Sequence, residues 1–159
     1  MAAVAISIVD VQSAAELDSV RQLFLEYADS LGVDLGFQDF ESELATLPGA
    51  YSPPQGRLLL AYDGDQVAGC AALRPLDKLI CEMKRMYLRP AFRGLGLGRR
   101  LAERLITEGR SIGYTHMRLD TLATMSSAIA LYRSLGFAPI PPYRHNPVLG
   151  AVYFELRLR

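Results

Sequence analysis

Tryptophan is absent from the 159 residues, cysteine and histidine occur twice each, and neither sign of charge is in excess. Lys+Arg and Asp+Glu both number 17, so the chain lacks the basic surplus of a generic nucleic-acid binder, and no nucleic-acid partner is expected. Cys70 and Cys81 fall inside apparent strands with no CxxC and no neighbouring histidine. They read as small buried hydrophobes, because a metal site needs more ligands at closer spacing, and no metal is expected. No apolar run approaches the roughly 20 residues that span a bilayer, so no membrane partner is expected. The segment Met1–Val9 has neither a basic start nor an apolar stretch of signal-peptide kind, which makes cytoplasmic the default location. No repeat, low-complexity stretch or inter-domain linker interrupts the sequence. What is present is 50% hydrophobic and 21% charged, a composition that folds. At this length a single domain over residues 1–159, with one core, is expected.

Patterning then divides the chain. Residues 3–9 read as a short strand. Ser13-Ala-Ala-Glu16 is a capping-box sequence, in which the serine and glutamate side chains satisfy free N–H groups at a helix start. Leu17, Val20, Phe24, Tyr27 and Leu31 share one face of the helix that follows, and Gly32 can end it with a positive φ. Phe37, Phe40, Leu44 and Leu47 predict a second short helix. Residues 48–56 hold three prolines and two glycines and read as a loop. The period then becomes that of strands: Arg57 to Tyr62, a turn at Asp63-Gly64, Gln66 to Leu73, and Leu79 to Leu88, which Pro90 ends. Leu97, Leu101, Leu105 and Ile112 mark the core face of a helix that stops at Gly113. A strand at Met117–Thr121, a helix at Ser127–Leu135 closed by Gly136, and a last strand at Val152–Leu158 complete a mixed α/β sheet.

Between the Leu79–Leu88 strand and the next helix lies Arg93-Gly94-Leu95-Gly96-Leu97-Gly98. Glycines admit a close backbone approach, and first-turn N–H groups of a helix lack internal partners and carry the positive end of the helix dipole. Arg93, Arg99 and Arg100 add full charge. Such a layout holds phosphate. It is not a dinucleotide fingerprint, which needs glycine where Arg99 stands, nor a Walker loop, since Gly98 is followed by Arg99-Arg100 rather than Lys-Ser/Thr. Taken alone it is also compatible with a plain helix start.

Arg93-x-x-Gly96-x-Gly98 resembles the Arg/Gln-x-x-Gly-x-Gly/Ala signature of the GNAT N-acetyltransferase superfamily. Glu82-Met-Lys-Arg-Met-Tyr-Leu-Arg-Pro90 resembles that family's preceding strand. Ala130-Leu-Tyr-Arg-Ser-Leu-Gly-Phe137 resembles its second hallmark, a helix carrying Leu-Tyr and ending in Gly-Phe. The resemblance implies a GNAT-like mixed, mostly antiparallel sheet with a splayed central pair, Lys84–Leu88 and Met117–Thr121, and helices on both faces. It implies acetyl-CoA as donor. Backbone amides from Gly94 through Leu95, Gly96, Leu97, Gly98 and Arg99 would cradle the pyrophosphate, with Arg93 beside them. Met86, Tyr87 and Leu88 would pair with the pantetheine arm. Many family members carry asparagine seven residues before the Leu-Tyr tyrosine. Met125 stands there in this chain, leaving Ser126 or Ser127 as the replacement contact. Homodimers are common in the superfamily, although no residue here demands one.

The implied chemistry is acetyl transfer to a primary amine by direct attack in a ternary complex. A lysine-like amine with a pKa near ~10.4 is neutral about once in 2,500 molecules at pH 7, a population cost of about 4–5 kcal/mol that a base or a desolvated pocket offsets. Tyr132 is the expected proton donor to the leaving thiolate; on periodicity alone it would be a core aromatic. Glu82 is the candidate base, with a surface residue on the strand's solvent-facing side, or a partner for Lys84 or Arg104, as its alternatives. Strand alternation would put Glu82, Lys84 and Met86 on one face. The Met86 N–H is the candidate donor to the developing oxyanion. Arg74 or Arg144 could take a substrate carboxylate, which points to a small, amino-acid-like acceptor. A non-catalytic acyl-CoA-binding or sensing module, an acetyltransferase acting on protein lysines or N-termini, and a protein-interaction domain are the competing readings.

Overall fold

The computed structural model describes residues 5–32, 35 and 39–159. Phe37 and the first residues of the expected opening strand lie outside them. Strand β1 (Ile6–Asp10) leads into α1 (Ala14–Leu31) and α2 (Phe40–Thr46). Strands β2 (Arg57–Asp63), β3 (Gln66–Pro75) and β4 (Ile80–Leu88) follow. Helix α3 (Leu97–Ile112), β5 (His116–Leu122), α4 (Ser126–Ser134), β6 (Ala138–Ile140) and β7 (Ala151–Arg157) complete the fold. The capping box forms as its sequence dictates: the Glu16 N–H donates to Ser13 Oγ at 3.1 Å, and Glu16 Oε1 accepts from the Ser13 N–H at 3.0 Å. Gly32 ends α1 at φ 64°. The β2–β3 hairpin turns one residue later than its Asp-Gly pair suggests, because Asp63 still pairs with Gln66 and the turn is Gly64-Asp65.

The strands form one sheet in the order β1-β2-β3-β4-β5-β7-β6. Every pairing is antiparallel except β4 with β5, which α3 connects as a crossover. Side chains alternate between two cores. Leu59, Leu73, Cys81, Met83, Met117 and Leu119 pack under α3 and α4. Leu58, Leu60, Cys70 and Ala72 pack under α1 and α2 with Val20, Phe24 and Phe40. Both cysteines are fully buried, as hydrophobes.

Two irregularities in β4 shape the molecule. Pairing with β5 covers only Ile80–His116, Cys81–Met117 and Glu82–Arg118, although β4 continues to Leu88 and β5 to Leu122. The sheet therefore opens after Glu82 and Arg118. Met117, expected in the splayed pair, is still hydrogen-bonded into the sheet, so the split on the β5 side begins at Leu119. The second irregularity is a bulge: Cys70 pairs with Tyr87 and Ala72 with Lys84, so Arg85 and Met86 together face Ala71. Arg85 sits at φ 57°, a conformation that costs a non-glycine residue about 1–2 kcal/mol. Two ion-paired hydrogen bonds to the Glu43 carboxylate, both 2.9 Å, and the Phe40 ring 5.1 Å away offset that cost. The bulge also reverses the alternation. Met86 and Leu88 turn to the α3 core and Tyr87 to the α1 core, so Met86 does not share a face with Glu82 and Lys84.

Candidate functional site

The opening between β4 and β5 continues into a cleft of about 670 Å³, walled by α1, the end of β4, the glycine loop and the start of α4. Met86, Tyr87, Leu88, Arg93, Gly94, Gly98, Ser126 and Tyr132 line it. Leu95, Gly96, Leu97 and Arg99 do not: Leu97 is core, Leu95 points to solvent, and Arg99 reaches Ser134 and Glu103. Their backbones nonetheless form the loop. Gly94 and Gly96 take φ 79° and 78°, and a Cβ on either would meet nothing within 4 Å. Gly96 begins α3 without a side-chain cap, and Met125 begins α4 without one. Two helix N-termini with uncapped first turns thus open on one cleft, a strongly anion-attracting arrangement. Arg93 Nε donates to the Leu88 carbonyl at 2.9 Å, and its guanidinium lies 5.7 Å from the Tyr87 ring centre, which holds it at the cleft wall.

Tyr132 packs its ring 5.7 Å from Phe137 and is 6% exposed. Among the described residues its hydroxyl makes no hydrogen bond, and burial pushes its pKa above the ordinary tyrosine range. It stays protonated at neutral pH, as a proton donor must. Met125 accepts a long contact from Thr121 Oγ1 through its sulfur at 3.4 Å, and Ser126 and Ser127 both reach the cleft beside it.

Glu82 occupies a different environment. It is fully buried on the α1 side of β4. One oxygen accepts from Arg74 Nε at 2.8 Å; the other accepts from the Tyr143 hydroxyl at 2.6 Å and from the Arg144 guanidinium. Burial alone would raise its pKa, but the charge of Lys84 and the bond from Arg144 outweigh that and hold it below the usual range. The neighbouring Lys84 is pulled down to about 7, chiefly by burial and next by the charge of Arg85, with Glu82 opposing. Tyr143 and Arg144 come from the β6–β7 loop, which Tyr153 secures by donating to the Arg144 carbonyl at 3.0 Å. His145 beside them is exposed.

Sequence reasoning passed over Asp120 and gave Tyr27 only a packing role. Asp120 stands on β5 two residues past the last β4 pair, opposite in face to the buried Leu119. It lines a cavity of about 40 Å³. Tyr27, Leu31, Leu122 and Met125 line both that cavity and the larger cleft, so the two are contiguous. Asn146 Nδ2 donates to Asp120 Oδ2 at 3.2 Å. The local signal was the lone carboxylate of the strand His116–Leu122, set beside the polar Arg118 and Thr121 and so easily read as sheet surface.

Residues 17–137 match the model of the acetyltransferase (GNAT) family. An uncharacterized N-acetyltransferase of Schizosaccharomyces pombe is 43% identical over 96% of this chain and 95% of its own length. The IAA acetyltransferase of Azospirillum brasilense is 38% identical over 60% of this chain and 65% of its own length. Among solved structures, a GNAT-family acetyltransferase from Staphylococcus aureus superposes with a TM-score of 0.81 at 20% identity, over 98% of this chain and all of the other. YncA of Salmonella typhimurium, solved with its cofactor acetyl-CoA, gives 0.68 at 24% identity, over 98% of this chain and 95% of its own.

Proposed function

The chain belongs to the acetyltransferase (GNAT) family, and on that premise we propose that it transfers acetyl from acetyl-CoA to a primary amine of a small molecule in a ternary complex. The observation that carries this reading is the end of β4–β5 pairing at Glu82 and Arg118, beside a glycine loop with room for a ligand. From Met83 to Leu88 the backbone of β4 pairs with β3 on one side and has no β5 partner on the other, and that open side suits an extended amide-bearing chain such as pantetheine. The N–H groups at the start of α3, with Arg93, suit its pyrophosphate. Bound acetyl-CoA supplies the acetyl group as an activated thioester. The Met86 N–H is assigned to the developing oxyanion and Tyr132 to protonation of the departing sulfur.

Glu82 takes a different part from that of a base. Both of its oxygens already accept from Arg74, Tyr143 and Arg144, and its pKa is depressed. We assign it to fixing those three side chains at the mouth of the acceptor site. Arg74 and Arg144 are part-exposed and have further N–H groups, which favours an acceptor carrying a carboxylate, as an amino acid does. The test is CoA release from acetyl-CoA across a panel of amino acids, alkylamines and a lysine peptide. Turnover of small amines above the peptide supports the reading. Tight acetyl-CoA binding with no amine turned over would make the chain an acyl-CoA-binding module instead.

A further inference from the structure

We infer that Asp120 is the contact for the acceptor's ammonium group, a role that rests on the acetyl-transfer reading and names the part of the site that meets the amine. Three observations place it there. Asp120 lies where β5 has parted from β4, on the same face as Arg118 and on the opposite face from the core residues Met117 and Leu119. The cavity it lines shares Tyr27, Leu31, Leu122 and Met125 with the cleft that ends at Tyr132. Its carboxylate takes one hydrogen bond among the described residues, from Asn146, and so keeps acceptor capacity, whereas Glu82 at 0% exposure has both oxygens engaged.

The surroundings suit a small cation. The cavity of about 40 Å³ holds a single unbranched ammonium head and little more. The charged and titratable groups facing Asp120 are Tyr27 from α1, Arg85 from β4, Tyr143 and Arg144 from the β6–β7 loop, and Tyr153 from β7. Arg85 is paired with Glu43, and Glu82 is shared between Arg74 and Arg144, so among the residues lining the cavity Asp120 is the carboxylate with acceptor capacity left for an incoming cation. An ammonium bound there passes one N–H proton to the carboxylate, which gives it up to water. The freed nitrogen lone pair forms the new C–N bond as the C–S bond breaks, and the second nitrogen proton balances the one taken by the sulfur.

The experiment reads binding as well as rate. Glycine, L-lysine, L-glutamate and ethanolamine are titrated by calorimetry into the protein saturated with CoA, where no transfer can occur. Trimethylglycine and choline serve as the bulky counterparts of glycine and ethanolamine. Binding of a primary amine at least tenfold tighter than its trimethylated counterpart is expected, because three methyl groups do not fit the cavity. In Asp120→Asn the amine should bind at least tenfold more weakly and kcat/KM should fall about 100-fold, with CoA affinity unchanged. Asp120→Glu should restore part of both. Equal binding of the trimethylated compounds overturns the assignment without any variant. So does an Asp120→Asn protein with wild-type amine affinity, or a panel in which no amine binds the CoA-loaded wild type. An amine that binds as expected but is never acetylated would instead overturn the transfer reading and leave the ammonium site standing.

Discussion

A single oxygen separates Tyr132 from phenylalanine, and its ring already packs against Phe137. Tyr132→Phe should therefore preserve the core and the acetyl-CoA affinity while lowering kcat about 10- to 100-fold, the loss expected when a positioned proton donor is removed. Steady-state kinetics beside calorimetry check it, and a variant with wild-type kcat makes Tyr132 a core aromatic only. Gly96 offers the converse case, in which a binding defect should come without a folding defect. At φ 78° with nothing within 4 Å of a built Cβ, an aspartate is strained by about 1 kcal/mol. A carboxylate at the residue just before α3 lies at the positive end of that helix, which returns a comparable amount. Gly96→Asp should thus unfold at close to the wild-type denaturant midpoint. It should bind acetyl-CoA at least tenfold more weakly, because the new charge repels the pyrophosphate. Unchanged affinity would remove the loop from the cofactor site.

The element that most shapes the site is β4, with its bulge at Arg85–Met86, and Gly69 of β3 makes room for the end of that strand just past the bulge. A Cβ there would lie 2.4 Å from the Tyr87 carbonyl oxygen and 2.6 Å from Leu88 Cδ2. Gly69→Ala must push the end of β4 away from β3 and should destabilise the fold by about 1–3 kcal/mol, read as a lower urea midpoint. Retained wild-type stability would mean that β4 gives way freely at this point. Neither feature could be read along the chain. Helix starts and stops such as Ser13–Glu16, Gly32 and Gly113 are written locally, in capping side chains and in glycines free to take positive φ, and they formed where expected. The glycine loop and the Leu-Tyr helix were legible for the same reason. Arg85 in a left-handed conformation has no local signature, because the bulge depends on which β3 residues oppose β4. That one extra residue is what turned Met86 to the other core. The Glu82–Arg144 pair joins residues 62 apart in sequence, and nothing local announces that a carboxylate in β4 will be closed over by a distant loop. Asp120 was missed because the parting of β4 and β5 decides that its face is a site wall rather than a sheet surface.

For the whole molecule, the buried charges of the α1 face make stability depend on pH in a direction that can be worked out. Lys84 has a pKa of about 7 in the folded chain and an ordinary value of 10.5 when unfolded. Between those values the unfolded chain binds more protons, so its contribution to stability rises with pH across that window; below about pH 7 both states are protonated and the cost of burying the charge is fully present. Cys70 and Cys81 act in the opposite sense. Burial raises their thiols well above the ordinary 9.0, so above that pH the unfolded state loses protons first and stability falls. Glu82, held below 4.5, contributes stability that is lost only as acid titrates it and is constant from neutral pH upward. The window from pH 7 to 9 therefore isolates the lysine. Urea unfolding of wild type and Lys84→Met at pH 7, 8 and 9 should give a stability difference that moves steadily in favour of wild type as pH rises, because methionine fills the space but carries no proton to lose. The same difference at all three pH values would mean that Lys84 keeps its charge when buried, stabilised by Glu82 beside it, and that the acceptor face carries one more positive charge at neutral pH.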